Sequence, residues 1–149
     1  MDKIKEIDRD INRAILTLGI TSKLSGIPAH SIRQYIEKGL LIPFKLDNNR
    51  QLFSMNDVNR LKNIHHIIQE KGLNFAGIRA MFSMIPCWEF KNCSEEARQK
   101  CDGYLRDLQP CWELSDKGIT CKNEVCRECE VYTCFSESPE LKSVIRKLI

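Results

Sequence analysis

The stretch PAHSIRQYIEKG, from Pro28 to Gly39, is the strongest guide to the architecture of the first half of this chain. Proline suits the first turn of a helix, because its missing amide hydrogen is not needed there, and glycine readily adopts the left-handed backbone that ends helices. Between them, Ile32, Tyr35 and Ile36 recur at helical spacing and form one apolar face. The stretch therefore predicts a short amphipathic helix that runs through Lys38.

The flanking segments place this helix in a larger motif. A second short helix is predicted over Thr21–Ser25, with Gly26 as its end. Two short helices joined by a glycine-containing turn are typical of a helix-turn-helix. Downstream, Leu40–Ile42 is predicted to be a strand, the polar residues 45–51 a loop, and Leu52-Phe53 the start of a second strand. Helix, turn, helix and hairpin together indicate a winged helix-turn-helix.

More helices are predicted on either side of this motif. Ser54 and Asp57 resemble a capped helix start, and the following helix ends at Gly72. Another helix covers about residues 74–85. Amphipathic helices are also expected at the two ends, over residues 4–18 and after Ser138. The first of these either docks on the core or forms a dimer seam.

Composition limits the class of protein. No apolar run approaches the roughly 20 residues of a membrane span, and residues 1–6 lack the apolar stretch of a secretory signal. We therefore expect a cytoplasmic protein with no membrane partner. Residues 1–86 contain 13 Lys and Arg against 8 Asp and Glu, whereas residues 87–149 contain 10 against 12. The basic excess of the first half is compatible with a polyanionic partner.

The predicted fold class is mainly α, with a winged helix-turn-helix domain followed by a small irregular metal-stabilised cysteine-rich domain. The predicted boundaries are 1–19 for the N-terminal helix, 20–86 for the winged helix-turn-helix, 87–138 for the cysteine-rich domain and 139–149 for the C-terminal helix.

Residues 20–82 resemble the DNA-binding domain of the MerR family of bacterial transcription regulators. The matching words are Ile32-Arg33-Gln34-Tyr35, Gly39-Leu40-Leu41, Leu52-Phe53-Ser54-Met55-Asn56-Asp57-Val58 and Leu73-Asn74-Phe75-Ala76-Gly77-Ile78-Arg79. The last of these segments, Leu73 to Arg79, is most similar to the heat-shock-repressor branch of the family. The resemblance implies a regulator that is not an enzyme and binds double-stranded DNA, with RNA polymerase and a second copy of the chain as further candidate partners.

A recognition helix fits the major groove, where base edges carry a distinguishable pattern of donors and acceptors. The candidate DNA-contacting residues are Ser31, Arg33, Gln34, Tyr35, Lys38, Lys45, Asn48, Asn49, Arg50 and Gln51. Tyr35 is open between a phosphate contact and core packing. The family usually has Tyr-Tyr-Glu after the recognition arginine and a wing arginine where this chain has Gln51, so base preference does not carry over. A winged helix that binds protein is the alternative.

The family's long dimerisation helix has no counterpart after Pro86, where the cysteines begin. All eight cysteines lie in the second half: Cys87, Cys93, Cys101, Cys111, Cys121, Cys126, Cys129 and Cys134. That half contains no histidine. In a reducing compartment, cysteines at this density are more often metal ligands than structural disulfides. An all-thiolate ligand set suits zinc or an iron–sulfur cluster.

The spacing of these cysteines favours a cluster. Only Cys126 and Cys129 have the two-residue gap common in zinc sites. The run Cys121-x4-Cys126-x2-Cys129 matches a plant-type ferredoxin spacing, and a cluster's bulk accommodates ligands from separate loops. Zinc is the alternative cofactor. A thiol–disulfide redox protein using Cys126 and Cys129 is a hypothesis of another class, although the βαβ pattern of a thioredoxin is missing.

The words Pro-Cys-Trp-Glu-Phe at residue 86 and Pro-Cys-Trp-Glu-Leu at residue 110 repeat a rare dipeptide. We expect Trp88 and Trp112 to cover the adjoining cysteines, to form the core of a small domain, or both. This half resembles a short bacterial module with paired Cys-Trp dipeptides, found attached to signalling proteins, and Cys134 falls outside its pattern. The sequence thus predicts a DNA-binding regulator whose cluster senses redox state or oxygen.

Overall fold

The structure, a computed structural model, describes residues 11–106, 108–114, 117–118, 120–121, 123, 125–137 and 140–148. It consists of two compact units, Met1–Gly72 and Leu73–Ile149. This division differs from the predicted boundary after residue 86, because the helix that follows Gly72 clusters with the cysteine-containing half. In the described part of the chain, no helix has the length and apolar character needed to cross a bilayer.

The first unit contains three helices of regular length and a two-stranded hairpin among its described residues. Their bounds are α1 Leu18–Ser25, α2 Ala29–Glu37, β1 Phe44–Lys45, β2 Gln51–Leu52 and α3 Met55–Lys71. The strands are antiparallel, with Phe44 opposite Leu52 and Lys45 opposite Gln51. The predicted helix-turn-helix and wing are therefore present, and the structure is mainly helical.

Helix α2 forms where the sequence predicts it. Ile32 and Tyr35 on its apolar face are buried. Gly39 follows the helix with a φ of 76°, in the left-handed region that favours glycine. The amide of Leu40 then donates to the carbonyl of Tyr35 at 2.9 Å, which closes the last turn.

Two predicted elements of the first unit are wrong. Leu40–Ile42 is not a strand: Leu40 and Leu41 are fully buried core residues in an irregular segment, so their apolar character reflects burial rather than sheet pairing. The predicted helix over residues 4–18 does not continue past Asn12. Leu16 instead forms an antiparallel bridge with Phe53, and Thr17 caps the start of α1. Ile4 and Ile7 lie outside the described residues.

Helix α3 begins at a reciprocal capping box, as predicted. The Ser54 side chain accepts a hydrogen bond from the Asp57 amide at 3.1 Å, and the Ser54 amide donates to the Asp57 carboxylate at 2.8 Å. Both residues are buried, so the two bonds satisfy amides that water could not reach. The helix ends at Gly72, which has a φ of 71°.

A buried arginine of α3 fixes the irregular segment after α2. Arg60 has no exposed surface, and its Nε donates to the carbonyl of Leu40 at 2.8 Å. Leu61 and Ile64 are buried on the same helix. Since a buried guanidinium is costly without partners, this bond constrains how α3 packs within its unit.

The second unit is built from short helices around the cysteines. Its described elements are α4 Phe75–Ser83, α5 Cys87–Phe90, α6 Glu95–Gln99, α7 Asp102–Leu105, two 3-10 turns at Cys111–Glu113 and Cys126–Glu128, α8 Glu130–Glu137 and α9 Leu141–Leu148. Its core combines aliphatic residues with Phe82, Tyr132 and Phe135. Ser138 and Pro139, predicted to start the last helix, lie outside the described residues, and the apolar stripe of α9 is only half-buried.

Replacing Ser54 with alanine should destabilise α3, because the Asp57 amide loses its buried acceptor. We expect a cost of about 0.5–2 kcal/mol. Amide hydrogen exchange along α3 measures it. Lys62→Ala, at an exposed position of the same helix, should change stability by no more than about 0.5 kcal/mol. Equal protection in both variants would contradict a stabilising role for the box.

Candidate functional site

The first candidate surface is the exposed side of α2. Arg33 and Gln34 are exposed, as is Lys38 at the end of the helix, and Ser31 is half-buried. Ile32 and Tyr35 point to the core, so helical geometry places the polar side chains opposite them. This face offers side chains suited to hydrogen bonds with base edges and phosphates.

The hairpin loop supplies a second set of polar side chains in the same unit. Lys45, Asn48, Asn49 and Arg50 are exposed, and Gln51 is half-buried. Asn49 has a φ of 63°, and the Arg50 amide donates to the side chain of Asn48 at 3.0 Å, so the tip is an ordered turn. The loop thereby presents amide and cationic groups together.

Tyr35 is a core residue. It is 4% exposed, and its hydroxyl lies 3.2 Å from Nδ1 of His65. Burial raises the pKa of Tyr35 above its ordinary value. Of the two readings that the sequence left open, the structure favours core packing, and we leave Tyr35 out of the proposed contact surface.

The second unit contains a small cavity surrounded by thiols, which we call the thiol cavity. It has a volume of about 30 Å³. Six of the eight predicted ligands line it: Cys87, Cys101, Cys111, Cys121, Cys126 and Cys129. The other lining residues are Gly103, Trp112, Lys117, Val131 and Tyr132. All eight cysteines are free thiols. Cysteines that are up to 42 positions apart in the chain, from Cys87 to Cys129, thus line one cavity.

The remaining two cysteines have different surroundings. Cys93 lines an adjoining cavity of about 20 Å³, the side cavity, together with Cys87, Cys101 and Cys121. Cys134 lines neither cavity; it is buried in α8, where its Sγ donates to the carbonyl of Val131 at 3.4 Å. The structure therefore groups seven thiols around two adjoining cavities, whereas Cys134 is buried elsewhere, on α8.

The surroundings of the cavity favour the neutral form of Cys87, Cys111 and Cys121, whose pKa values are raised. Burial raises the pKa of Cys87 to about 11, and the neighbouring Cys101, Cys121 and Cys93 add to the effect. Burial likewise raises the pKa of Cys111 to about 12. Ionised sulfurs this close repel each other, so the set as a whole disfavours multiple thiolates unless a cation is present.

The sequence reasoning missed two residues that contact these sulfurs directly. Nζ of Lys117 lies 3.0 Å from Sγ of Cys126, and the amide of Gly118 donates to Sγ of Cys101 at 3.3 Å. Burial alone would lower the pKa of Lys117, but the Cys126 hydrogen bond and nearby cysteines outweigh it and raise that pKa. Neither residue belongs to a recognised metal motif, so spacing gave no signal.

Each tryptophan of the repeated dipeptide lines one of the two cavities. Trp112 lines the thiol cavity and packs edge-on to Tyr132, with ring centroids 5.1 Å apart. Trp88 lines the side cavity and meets Tyr104 at the same centroid distance. Both tryptophans are half-buried, so each lies between a thiol-lined cavity and an aromatic neighbour.

Helix α4 packs against this aromatic group. The ring of Phe82 lies 5.4 Å from that of Trp112 and 4.9 Å from that of Phe135. Arg79, one turn earlier, forms an ion pair with Glu113, beside Trp112. Phe82 is 2% exposed, so the wall of the thiol cavity and α4 share one buried core.

Among the described residues, no three His, Cys, Asp or Glu side chains converge as the ligands of a single metal ion would. The six sulfurs instead surround a common space. The ligand role predicted for the eight cysteines stays a prediction.

Comparison with known proteins identifies the first part of the chain. The family described as "MerR HTH family regulatory protein" matches residues 16–85. These residues are a MerR-family helix-turn-helix domain.

Over 70 residues the chain is 39% identical to the HTH-type transcriptional regulators GlnR of Bacillus anthracis and Bacillus cereus, covering 47% of this chain and 54% of each relative. It is 26% identical over 70 residues to HspR of Streptomyces coelicolor, named as a heat shock protein, covering 47% and 46%. The chain thus spans about half the length of these relatives.

The match ends at residue 85 and leaves the cysteine-rich part outside it. The MerR-family domain therefore includes α4, which clusters with the cysteines in the second unit. One helix consequently belongs both to the MerR-family domain and to the core behind the thiol cavity.

Phe82→Ala should destabilise the second unit by about 3–5 kcal/mol, because it leaves a cavity against the rings of Trp112 and Phe135. Urea unfolding followed by tryptophan fluorescence reports on this unit alone, since both tryptophans belong to it. Met84→Ala is the control: its side chain is 63% exposed just after the same helix, and we expect a change within about 0.5 kcal/mol. Similar midpoints for the two variants would show that the ring cluster is not a core.

Proposed function

We propose that this protein is a DNA-binding transcription regulator whose second unit holds an iron–sulfur cluster as a sensor of redox state or oxygen. The single observation that carries the proposal is that six cysteines surround one cavity whose wall packs on a helix of the MerR-family domain. This packing supports a link between the MerR-family domain and the thiol cavity.

Support for DNA binding comes from the two exposed polar surfaces of the first unit. Arg33 and Gln34 stand on the open face of the recognition helix, and Arg50 stands on the wing. Arginine forms bidentate contacts with guanine or grips phosphate, and glutamine pairs with adenine. The GlnR relatives are named as HTH-type transcriptional regulators, which agrees with a role in DNA binding.

Arg33→Ala should weaken binding to duplex DNA by about 1–3 kcal/mol if the side chain reads a base. If it contacts only phosphate, the loss should be similar on all sequences, and the salt slope should fall by about one. Titration of labelled promoter DNA at several salt concentrations separates the two cases. Arg106→Ala, an exposed arginine of the second unit, is the control. Unchanged binding after both Arg33→Ala and Arg50→Ala would contradict DNA binding through the recognition helix and the wing.

Support for the cluster comes from the chemistry of the cavity. Its potential ligands are sulfurs, which suit iron–sulfur centres and zinc, and its tryptophan and tyrosine rings exclude water. Burial raises the pKa values of Cys87 and Cys111 and so disfavours their bare thiolates, a cost that a bound metal cation would offset. Six thiols around a shared space offer more sulfurs than the four that a mononuclear zinc site uses.

The residues present fit such a group. Cys121, Cys126 and Cys129 would hold it together with Cys87, Cys101 or Cys111, and the group would supply a change of charge on oxidation or reduction. Cys93 reaches it only through the side cavity, and Cys134 is a helix-core residue. A thiol–disulfide role for Cys126 and Cys129 gains less support, because these two thiols share the cavity with four others.

A route from the cavity to the DNA-binding domain follows from the packing. Trp112 lines the cavity and contacts Phe82, while Glu113 pairs with Arg79. Both partners lie on α4, and only Gly72, Leu73 and Asn74 separate α4 from α3. We propose that a change at the cavity wall alters the packing of α4, and that the short connection to α3 carries this change to the DNA-binding domain.

Protein purified without oxygen should be brown and contain iron and acid-labile sulfide. Its DNA affinity should change by roughly 5- to 150-fold on cluster removal, the range typical of coupled sites. Colourless protein with stoichiometric zinc would replace the cluster by the structural-zinc alternative. Brown protein whose DNA affinity ignores oxidation, reduction and cluster loss would retain the cofactor and end the sensor role.

The remaining partners in this proposal follow from regulation itself. RNA polymerase is the machinery that a transcription regulator must influence, and in a bacterium both act in the cytoplasm. A second copy of the chain would use residues 4–18 or Leu141–Leu148; of these, the apolar stripe of α9 is half-buried in the single chain.

A further inference from the structure

Two consecutive residues contact two different sulfurs of the thiol cavity. Lys117 approaches Cys126 with its ammonium group, at 3.0 Å from Nζ to Sγ. Gly118 approaches Cys101 with its backbone, at 3.3 Å from N to Sγ. Because Cys101 and Cys126 lie on separate segments, this dipeptide ties the two segments together at the cavity.

Gly118 is required for space and not for backbone conformation. Among the described glycines, those with positive φ are Gly26, Gly39 and Gly72, so Gly118 has an angle that other residues adopt freely. A Cβ at Gly118 would lie 2.9 Å from Cβ of Cys101, closer than real Cβ contacts allow, and 3.2 Å from its Sγ, which is a tight contact. Any larger residue would push Cys101 away or break the hydrogen bond to its sulfur.

Lys117 supplies the positive charge of the site. It is the one cationic side chain among the described residues that line the thiol cavity. A metal centre held by four thiolates keeps a net negative charge, which a nearby ammonium offsets. Hydrogen bonds to ligand sulfurs also orient them and shift the reduction potential of iron–sulfur centres.

We propose that Lys117 and Gly118 act as a clamp on the thiolate centre, donating one hydrogen bond each to Cys126 and Cys101 and selecting the metal-bound form of the cavity. The inference rests on the proposed metal site. It identifies Lys117 and Gly118 as positioning residues that act through the sulfurs, with Lys117 charge-compensating and Gly118 permitting the close backbone approach.

The test uses the full chain, loaded anaerobically with iron and sulfide or, separately, with Zn²⁺. Release of metal to excess EDTA is followed by visible absorbance for iron and by a chromogenic chelator for zinc. Lys117→Met and Gly118→Ala should release metal about 10- to 100-fold faster than the wild type, the usual effect of removing support from metal ligands. Lys117→Arg, which keeps the charge and the donors, should restore slow release.

Matched controls separate the clamp from general effects of substitution. Lys142→Met removes an exposed lysine of α9, and Gly19→Ala adds a Cβ that meets no atom within 4 Å. Both should release metal at the wild-type rate. For an iron–sulfur centre, Lys117→Met should also lower the reduction potential, since the more negative reduced form loses its cation; a purely structural role would leave the potential unchanged.

Wild-type release rates in Lys117→Met would overturn the proposal, even if Gly118→Ala failed to fold. Equally fast release from Lys117→Met and Lys117→Arg would also overturn it, because charge and donors would then be irrelevant. A wild-type protein that takes up neither iron nor zinc would refute the metal site itself. That outcome is distinct from failure of the clamp, in which the wild type is loaded and the variants match it.

Discussion

The convergence of six thiols on one small cavity is the constraint on which the second unit depends. Sulfurs at this proximity disfavour joint ionisation, and the raised pKa values of Cys87 and Cys111 agree with this. The unit is built from short helices and 3-10 turns, so each element contributes few backbone hydrogen bonds. Four further residues lie around the thiols: Trp112 and Tyr132 line the cavity, Lys117 contacts one sulfur and Gly118 closely approaches another. Under the proposed function, metal binding and folding of this unit are linked.

Helix α4 connects this constraint to the MerR-family domain. This helix lies within the family match, and Phe82 in its C-terminal half packs against Trp112 and Phe135. The boundary between compact units at Gly72 therefore does not coincide with the end of the family match at residue 85. Under the proposed function, this shared helix would be the physical basis for regulation, because its packing would respond to the state of the cavity wall.

The first unit presents its polar face through ordinary rules of helix and turn formation. Pro28, Gly39 and the Ser54–Asp57 capping box set where the helices begin and end. Buried Ile32 and Tyr35 orient α2, so that Arg33 and Gln34 remain open. Arg60 adds a bond to the carbonyl of Leu40 that holds the irregular segment between α2 and the hairpin.

Local chemistry made the helix-turn-helix, the hairpin loop and the capped start of α3 readable in the amino-acid sequence, because caps, turns and helical periodicity act between residues close in the chain. The same local view failed at Leu40–Ile42 and at residues 13–17, where burial and the bridge between Leu16 and Phe53 come from distant partners. Sequence also singled out the cysteines as one chemical set. It could not group seven of them around adjoining cavities, set Cys134 apart, or bring Lys117 and Gly118 to two sulfurs. Those relations depend on loop paths that join residues far apart, and no short-range preference specifies them.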